Sequence, residues 1–161
     1  MTAANSDIRV VVIGAGPAGY PAAFHAADLG MQVTLLDAEV NPGGVCLYRG
    51  CIPSKALLHL AHLVTEAKEA AAHGISFEGL KIDLDKLRAF KSSVIDKLTG
   101  GLGYLTKQRK VQYLRGLAAF KDAHTLTVNL TDGTTKELSF DYAIVATGSR
   151  PVVIPAWPKC T

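Results

Sequence analysis

Cys46 and Cys51 are two of only three cysteines in a chain of 161 residues. Both lie in one glycine-bracketed stretch, Gly43-Gly44-Val45-Cys46-Leu47-Tyr48-Arg49-Gly50-Cys51-Ile52-Pro53-Ser54-Lys55. Three chemistries suit such a pair. A metal site needs two further thiolate or imidazole ligands, usually as a second close pair, and Cys-x4-Cys is wider than the usual knuckle. His59 and His62, three apart, are the available imidazoles. A structural disulfide fits poorly with an odd cysteine count, which points to a reducing compartment. A redox dithiol accounts for more of the stretch. Glycines 43, 44 and 50 let the chain fold back so that the sulfurs meet. A helix opening at Ile52-Pro53-Ser54 and the nearby Lys55 are expected to lower a thiol pKa. A cycling dithiol also needs an electron partner.

A nucleotide fingerprint upstream supplies one. Gly14-Ala15-Gly16-Pro17-Ala18-Gly19 follows the β-branched run Ile8–Ile13 and precedes an alanine-rich helical stretch reaching about Leu29. Asp37 lies 23 residues past the first glycine. Gly14 permits the tight turn, Gly16 admits a pyrophosphate to the backbone, and Gly19 lets helix and strand pack closely. The helix start offers free N–H groups to phosphate oxygens. Asp37 is placed to accept from a ribose hydroxyl. The fingerprint alone does not choose between FAD and NAD. Pro17 suits the first helical turn; Pro21 is expected to delete one backbone bond and distort the helix locally.

These residues need a frame. Ile8–Ile13 reads as a strand buried on both faces, and Gln32–Leu36 as its parallel partner. Lys55 to about His73 has a helical stripe of Leu57, Leu58, Ala61, Val64 and Ala67, closed by Gly74. A second helix fits Asp83 to about Leu98, with Leu84, Leu87, Val94, Ile95 and Leu98 on one face and a continuation at 102–107. From Val111 the period becomes two. Strands are expected at 111–114, 117–120, 125–130, 135–139 and 142–146, with a hairpin turn at Asp132-Gly133. Arg150–Pro158 reads as a proline-containing linker.

Bulk properties set the class. Hydrophobic residues make up 48%, charged residues 19%, and the net charge is +3. That composition is globular. The basic residues are scattered, and the cluster Lys107-Gln108-Arg109-Lys110 reads as a solvated helix end, so no nucleic-acid partner is expected. No apolar run approaches the roughly 20 residues of a membrane span. Thr2–Asp7 lacks a charged-then-apolar leader, so secretion is not expected.

"GAGPAGY", "GGVCLYRGCIPSKALLH" and "YAIVATGSRP" together resemble the flavin-dependent pyridine nucleotide-disulfide oxidoreductases over nearly the whole chain. "GCIPSK" is closer to the lipoamide-oxidising members than to the "GCVPKK" of glutathione reductases. The resemblance implies an α/β fold: a Rossmann-like FAD-binding domain with a parallel sheet plus a small antiparallel β-meander. It implies that Gly14, Gly16, Pro17, Ala18 and Gly19 cradle the FAD pyrophosphate, and that Asp37 holds the adenosine ribose. Ala38, Gly43, Gly44, Val45 and Cys46 would line the cofactor, and Lys55 would sit near the flavin ring. Gly116 and Ala118 would contact adenine, while Thr147 and Gly148 form the turn where the chain leaves the flavin domain. Cys46 would be the interchange thiol and Cys51 the electron-transfer thiol. Electrons would pass from dihydrolipoamide, carried on the acyltransferase subunit of 2-oxoacid dehydrogenase complexes, through the pair and FAD to NAD+. No metal is implied.

The resemblance also implies a homodimer in the bacterial cytoplasm. Residues 1–150 would be the first FAD segment and 151–161 a linker toward an NAD-binding domain. The family's active-site histidine has no counterpart among His25, His59, His62, His73 and His124, so the segment alone is not expected to run the NAD-linked reaction. Cys160 reads as an incidental free thiol. Tyr48-Arg49, where relatives usually have Asn-Val, and Val45, where many have Thr, depart from the pattern and bear on substrate access and redox potential. A mercuric or glutathione reductase, or a non-catalytic FAD-binding module, remain alternatives.

Overall fold

A computed structural model describes residues 6–149 together with 152 and 154. The expected linker 151–161 therefore lies mostly outside the described residues, as does Cys160. The elements are β1 (Arg9–Ile13), α1 (Gly19–Asp28), β2 (Gln32–Asp37), α2 (Gly44–Tyr48), α3 (Cys51–Glu69), α4 (Leu84–Gln108), β3 (Gln112–Asp122), β4 (Thr125–Leu130), β5 (Thr135–Ser139) and β6 (Tyr142–Val145); a 3-10 turn, Ala70–His73, extends α3. The sheet order is β5-β4-β3-β2-β1-β6. The strands β6, β1, β2 and the first half of β3 are parallel. The second half of β3 runs antiparallel to β4, and β4 to β5. This is the expected α/β architecture, a parallel sheet with a β-meander.

Alternation along the parallel strands builds two cores. Val10, Val12, Val33 and Leu35 face one way and pack with Ala23, Phe24 and Ala26 of α1, joined by Leu102 and Leu105 of α4. Val11 and Leu36 face the other way and meet Leu126, Val128 and Phe140 of the meander. A strand covered on both sides must be apolar at consecutive positions, which is why Val10–Val12 reads as an unbroken run. Burial of each such side chain stabilises by about 1.5–3 kcal/mol.

Two elements differ from the sequence reading. The strands expected at 111–114 and 117–120 are one long β3 that changes partners at Gly116: Arg115 still pairs with Asp37, and Gly116 with Leu130. The second helix and its expected continuation at 102–107 are one unbroken element. α4 continues through Gly100, Gly101 and Gly103 to Gln108. Each interior glycine costs about 1 kcal/mol of helix propensity, but Ile95, Thr99 and Thr106 are buried and hold the helix down. The α3 stripe is also less buried than expected. Leu57 and Leu58 are exposed, and only Ala56 of this helix is fully buried. Pro21 does not break α1. It falls in the first turn, where N–H groups lack intrahelical partners anyway, and the strain shows only as a long 3.4 Å bond from Ala22 N to Ala18 O.

Candidate functional site

Three chain segments converge at the carboxyl ends of β1, β2 and β6. The first is the turn from β1 into α1. Gly14 has φ of +100°, and a Cβ there would lie 2.3 Å from the Ala146 carbonyl oxygen. At Gly19 a Cβ would lie 1.7 Å from the Gly14 oxygen. The turn thus has no room for side chains, and the α1 amino end is drawn tight against the strand. The second segment is 37–50. Gly43 N donates to the Ala15 oxygen at 2.8 Å, which seats this loop on the glycine turn. A Cβ on Gly44 would lie 2.5 Å from the Gly16 Cα. The third is the Ala146–Ser149 stretch after β6.

Between them is a cleft of about 440 Å³. Gly14, Gly16, Pro17 and Ala18 form its floor. Asp37 and Glu39, at the end of β2, form one wall, Gly44, Val45, Cys46 and Arg49, of α2 and its cap, another, and Ala146–Ser149 closes the third side. Two larger concavities lie elsewhere, about 520 Å³ at the amino ends of the strands and about 770 Å³ beside α3. Neither borders the thiols or the glycine turn, so chemistry and not size selects the cleft.

The cleft fits a pyrophosphate-bearing dinucleotide. A Cβ on Gly16 would meet nothing closer than the Gly44 Cα at 3.9 Å, leaving exposed backbone beside the α1 amino terminus for an anion. Asp37 accepts from Ala15 N at 2.7 Å through Oδ2 and from Glu39 N at 3.0 Å through Oδ1. Each carboxylate oxygen has two lone pairs, so both retain capacity for a hydroxyl.

The cysteine pair is not in a loop. Cys46 is on the short α2, and Cys51 is the first residue of α3. Gly50 lies between them, with φ of −122°. A Cβ there would press on the Val45 oxygen at 3.3 Å and the Cys46 Cα at 3.6 Å; glycine lets the two helix ends touch. Cys46 is half-buried and Cys51 exposed, both as free thiols. The Cys46 thiol is pushed above its ordinary value, first by its hydrogen bond to the Cys51 side chain, then by burial and by the Cys51 charge. The Cys51 backbone N–H, at the helix start, and the Lys55 charge pull the other way but are outweighed. The expected lowering by helix and lysine is therefore present in direction at Cys46 and loses to the neighbouring sulfur.

Other expected site residues fall around this centre. Ala38 and Lys55 are exposed. Gly19, Gly43, Cys51, Lys55, Gly116 and Ala118 are not in the cleft wall. Gly116 is buried beside β4, where a Cβ would lie 2.4 Å from the Asn129 oxygen, so close strand packing accounts for that glycine. All five histidines are exposed, and no cluster of metal-ligating side chains occurs among the described residues. Arg49, Ala146 and Ser149 line the cleft without having been singled out from sequence as ligand contacts.

Arg49 and Tyr48, the departures from the family pattern, have definite partners. The Arg49 guanidinium meets Glu39 Oε1 at 2.5 Å. The Tyr48 hydroxyl accepts from Asn41 N at 3.2 Å and donates to the Asn41 oxygen at 3.1 Å. Tyr113 donates to the Glu39 oxygen at 3.1 Å, and its hydroxyl pKa is raised mainly by burial.

Comparison with known proteins agrees with the geometry. A family profile described as pyridine nucleotide-disulphide oxidoreductase matches residues 8–158. A dihydrolipoyl dehydrogenase of Haemophilus influenzae is 53% identical over 150 residues, 93% of this chain and 31% of that protein. One from Vibrio cholerae is 50% identical over 150 residues, again 93% and 31%. A crystal structure of LpdA from Mycobacterium tuberculosis superposes with a TM-score of 0.84 at 30% identity, covering 92% of this chain and 33% of that one. The chain thus spans about a third of the length of the curated relatives it matches. No helix among the described residues is long and apolar enough to cross a membrane. A glycine-floored cleft with Cys46 on its wall, in a chain matched by one profile over residues 8–158, makes this chain a member of the pyridine nucleotide-disulphide oxidoreductase family.

Proposed function

We propose that this chain is the FAD-binding, disulfide-bearing segment of a dihydrolipoyl dehydrogenase. The observation that carries the proposal is the placing of Cys46 on the wall of the glycine-floored cleft, with Cys51 five residues on at the amino end of the adjoining helix. Gly14, Gly16, Pro17 and Ala18 would hold the pyrophosphate with backbone N–H groups, and Asp37 the ribose hydroxyls. When bound, FAD supplies a two-electron link between a dithiol and NAD+. Residues 1–150 form the first flavin-binding segment, and 151–161 lead toward an NAD-binding domain. The whole protein is a homodimer of the bacterial cytoplasm that oxidises dihydrolipoamide on the acyltransferase subunit of a 2-oxoacid dehydrogenase complex.

The chain's own chemistry is thiol–disulfide exchange. With Cys46 and Cys51 oxidised to a disulfide, a lipoyl thiolate attacks the Cys46 sulfur and releases Cys51 as thiolate. The second lipoyl thiol attacks the mixed disulfide, closing the dithiolane and releasing Cys46. Two protons leave the lipoyl thiols. Cys46, whose thiol is raised, holds a proton readily once released. Cys51 is the first residue of α3, one turn before Lys55. Cys46 is the interchange thiol and Cys51 the electron-transfer thiol in this assignment.

Single-cysteine variants of the full-length protein test it. Cys46→Ser leaves Cys51 alone and is expected to show a long-wavelength thiolate–flavin absorption band. Cys51→Ser is expected to lose that band, and both variants lose lipoamide-dependent NADH turnover. A band that persists in Cys51→Ser would reverse the two roles. Turnover with mercuric ion or glutathione disulfide instead of lipoamide would assign another member of the family.

A further inference from the structure

We propose that Arg49 and Glu39 form a strap across the mouth of the dinucleotide cleft, and that this ion pair retains the bound cofactor by slowing its escape. The inference rests on the cleft's being the FAD site. The two residues project from different walls. Glu39 follows β2, whereas Arg49 caps the carboxyl end of α2, the helix that carries Cys46. Both line the cleft, and their side chains meet at 2.5 Å. The guanidinium is far more exposed than the carboxylate, 62% against 27%, so the pair lies at the rim and not on the floor.

The Glu39 end is anchored. Its N–H donates to Asp37 Oδ1 at 3.0 Å, and its oxygen accepts from the Tyr113 hydroxyl at 3.1 Å. Tyr48, next to Arg49, grips both backbone groups of Asn41. The Asn41 side chain fills the space a Cβ on Gly103 of α4 would occupy, with Oδ1 2.2 Å from that position. Residues 39–41 are thus held from four sides before the ion pair forms. An ion pair between pre-positioned groups loses little side-chain entropy, the usual reason exposed pairs are weak. A cofactor in the cleft leaves by passing this rim. An ion pair that must open first makes Arg49 a positioning residue, acting on release through Glu39.

The test is the rate of FAD release from the full-length holoprotein, with freed flavin separated by rapid filtration and measured by absorbance. Arg49→Met and Glu39→Gln are each expected to speed release by about two- to fivefold, the range of an exposed pair. The double variant is expected to be no faster than either single one, and Arg49→Lys to recover part of the retention. High salt should bring the wild-type rate toward that of Arg49→Met, because rim charges are screened. Equal rates in all variants would overturn the strap, as would additive effects. Arg49→Met releasing FAD much faster than Glu39→Gln would also overturn it, making Arg49 a direct cofactor contact. Full-length protein that takes up no FAD at all would instead refute the functional reading on which the strap rests.

Discussion

The two ends of the parallel sheet are fastened by different means. At the carboxyl ends, backbone meets backbone. Gly14, Gly19 and Gly44 sit where any Cβ would collide with main-chain atoms, and the joints are Gly14 N to the Leu36 oxygen and Gly43 N to the Ala15 oxygen, each 2.8 Å. At the amino ends, side chains reinforce the backbone bonds from Gln32 N to the Ile8 oxygen and from Asp141 N to the Arg9 oxygen, each 2.9 Å. Arg9 pairs with Asp141 at 2.8 Å, Arg109 with Asp28 at 3.0 Å, and Thr34 with Gln112 at 3.0 Å. Both ends are closed, but only one is intolerant of substitution. A surface that must admit a flat, charged ligand close to the backbone cannot be built from long side chains; an end with no such demand can use exposed pairs worth about 0–1 kcal/mol each.

The contrast breaks most sharply at Gly19. Alanine there places a Cβ 1.7 Å from the Gly14 oxygen. No rotamer relieves a clash with backbone, so α1 must move off β1. Gly19→Ala is expected to cost about 3 kcal/mol or more, the upper range for overpacking, read as a lowered denaturant midpoint. Asp37 comes next. Its carboxylate holds the Ala15 and Glu39 N–H groups in a half-buried setting. Asp37→Ala leaves both donors without that partner and is expected to cost about 2 kcal/mol, in the absence of any added nucleotide. An unchanged midpoint would mean that Asp37 serves only the ligand.

The carboxyl end was the more legible in sequence, for the same reason it is the less tolerant. A glycine required by backbone contact cannot drift, so "GAGPAG" states its geometry locally, and the apolar run Val10–Val12 states that its strand is covered on both faces. What was missed depends on contacts distant in sequence. Gly100, Gly101 and Gly103 read as a gap before a continuation at 102–107, yet burial of Thr99 and Thr106 carries α4 through them unbroken. The two strands expected around Gly116 are one because β2 and β4 both pair with β3, along different halves. The leucines of α3 show a helical period, but a period does not say whether anything covers the stripe. Arg49 and Glu39 have no shared pattern in sequence; only the fold of residues 37–50 brings them to one rim. The Cys51–Lys55 helix start was legible, but its effect on Cys46 was offset by the second sulfur.

The amino end should yield smaller effects. Arg109 pairs with Asp28 and lies 5.0 Å over the Phe24 ring. Arg109→Met removes both contacts while keeping most of the packing stem, so a loss of about 1 kcal/mol is expected. A loss as large as that of Gly19→Ala would erase the distinction between the two ends.

The smallest effect belongs to Arg9 and Asp141, and it is confined to acid. The Asp141 carboxylate is held down to about 2, from an ordinary 3.8, first by hydrogen bonds from the Arg9 side chain and then by the Arg9 N–H. A carboxyl whose folded value is depressed stabilises the fold above its unfolded value and loses that contribution as pH falls through the folded one. The contribution is therefore complete above about pH 4 and gone below about pH 2. Asp141→Asn cannot titrate. The melting temperature of the wild type is expected to exceed that of the variant slightly at neutral pH, and the gap to close between pH 4 and 2. Because both groups are exposed, raised salt should narrow the gap at neutral pH as well. A gap that stays constant from neutral pH down to pH 2 would show that the neutral Asp141 hydrogen bonds, and not its charge, fasten this end of the sheet.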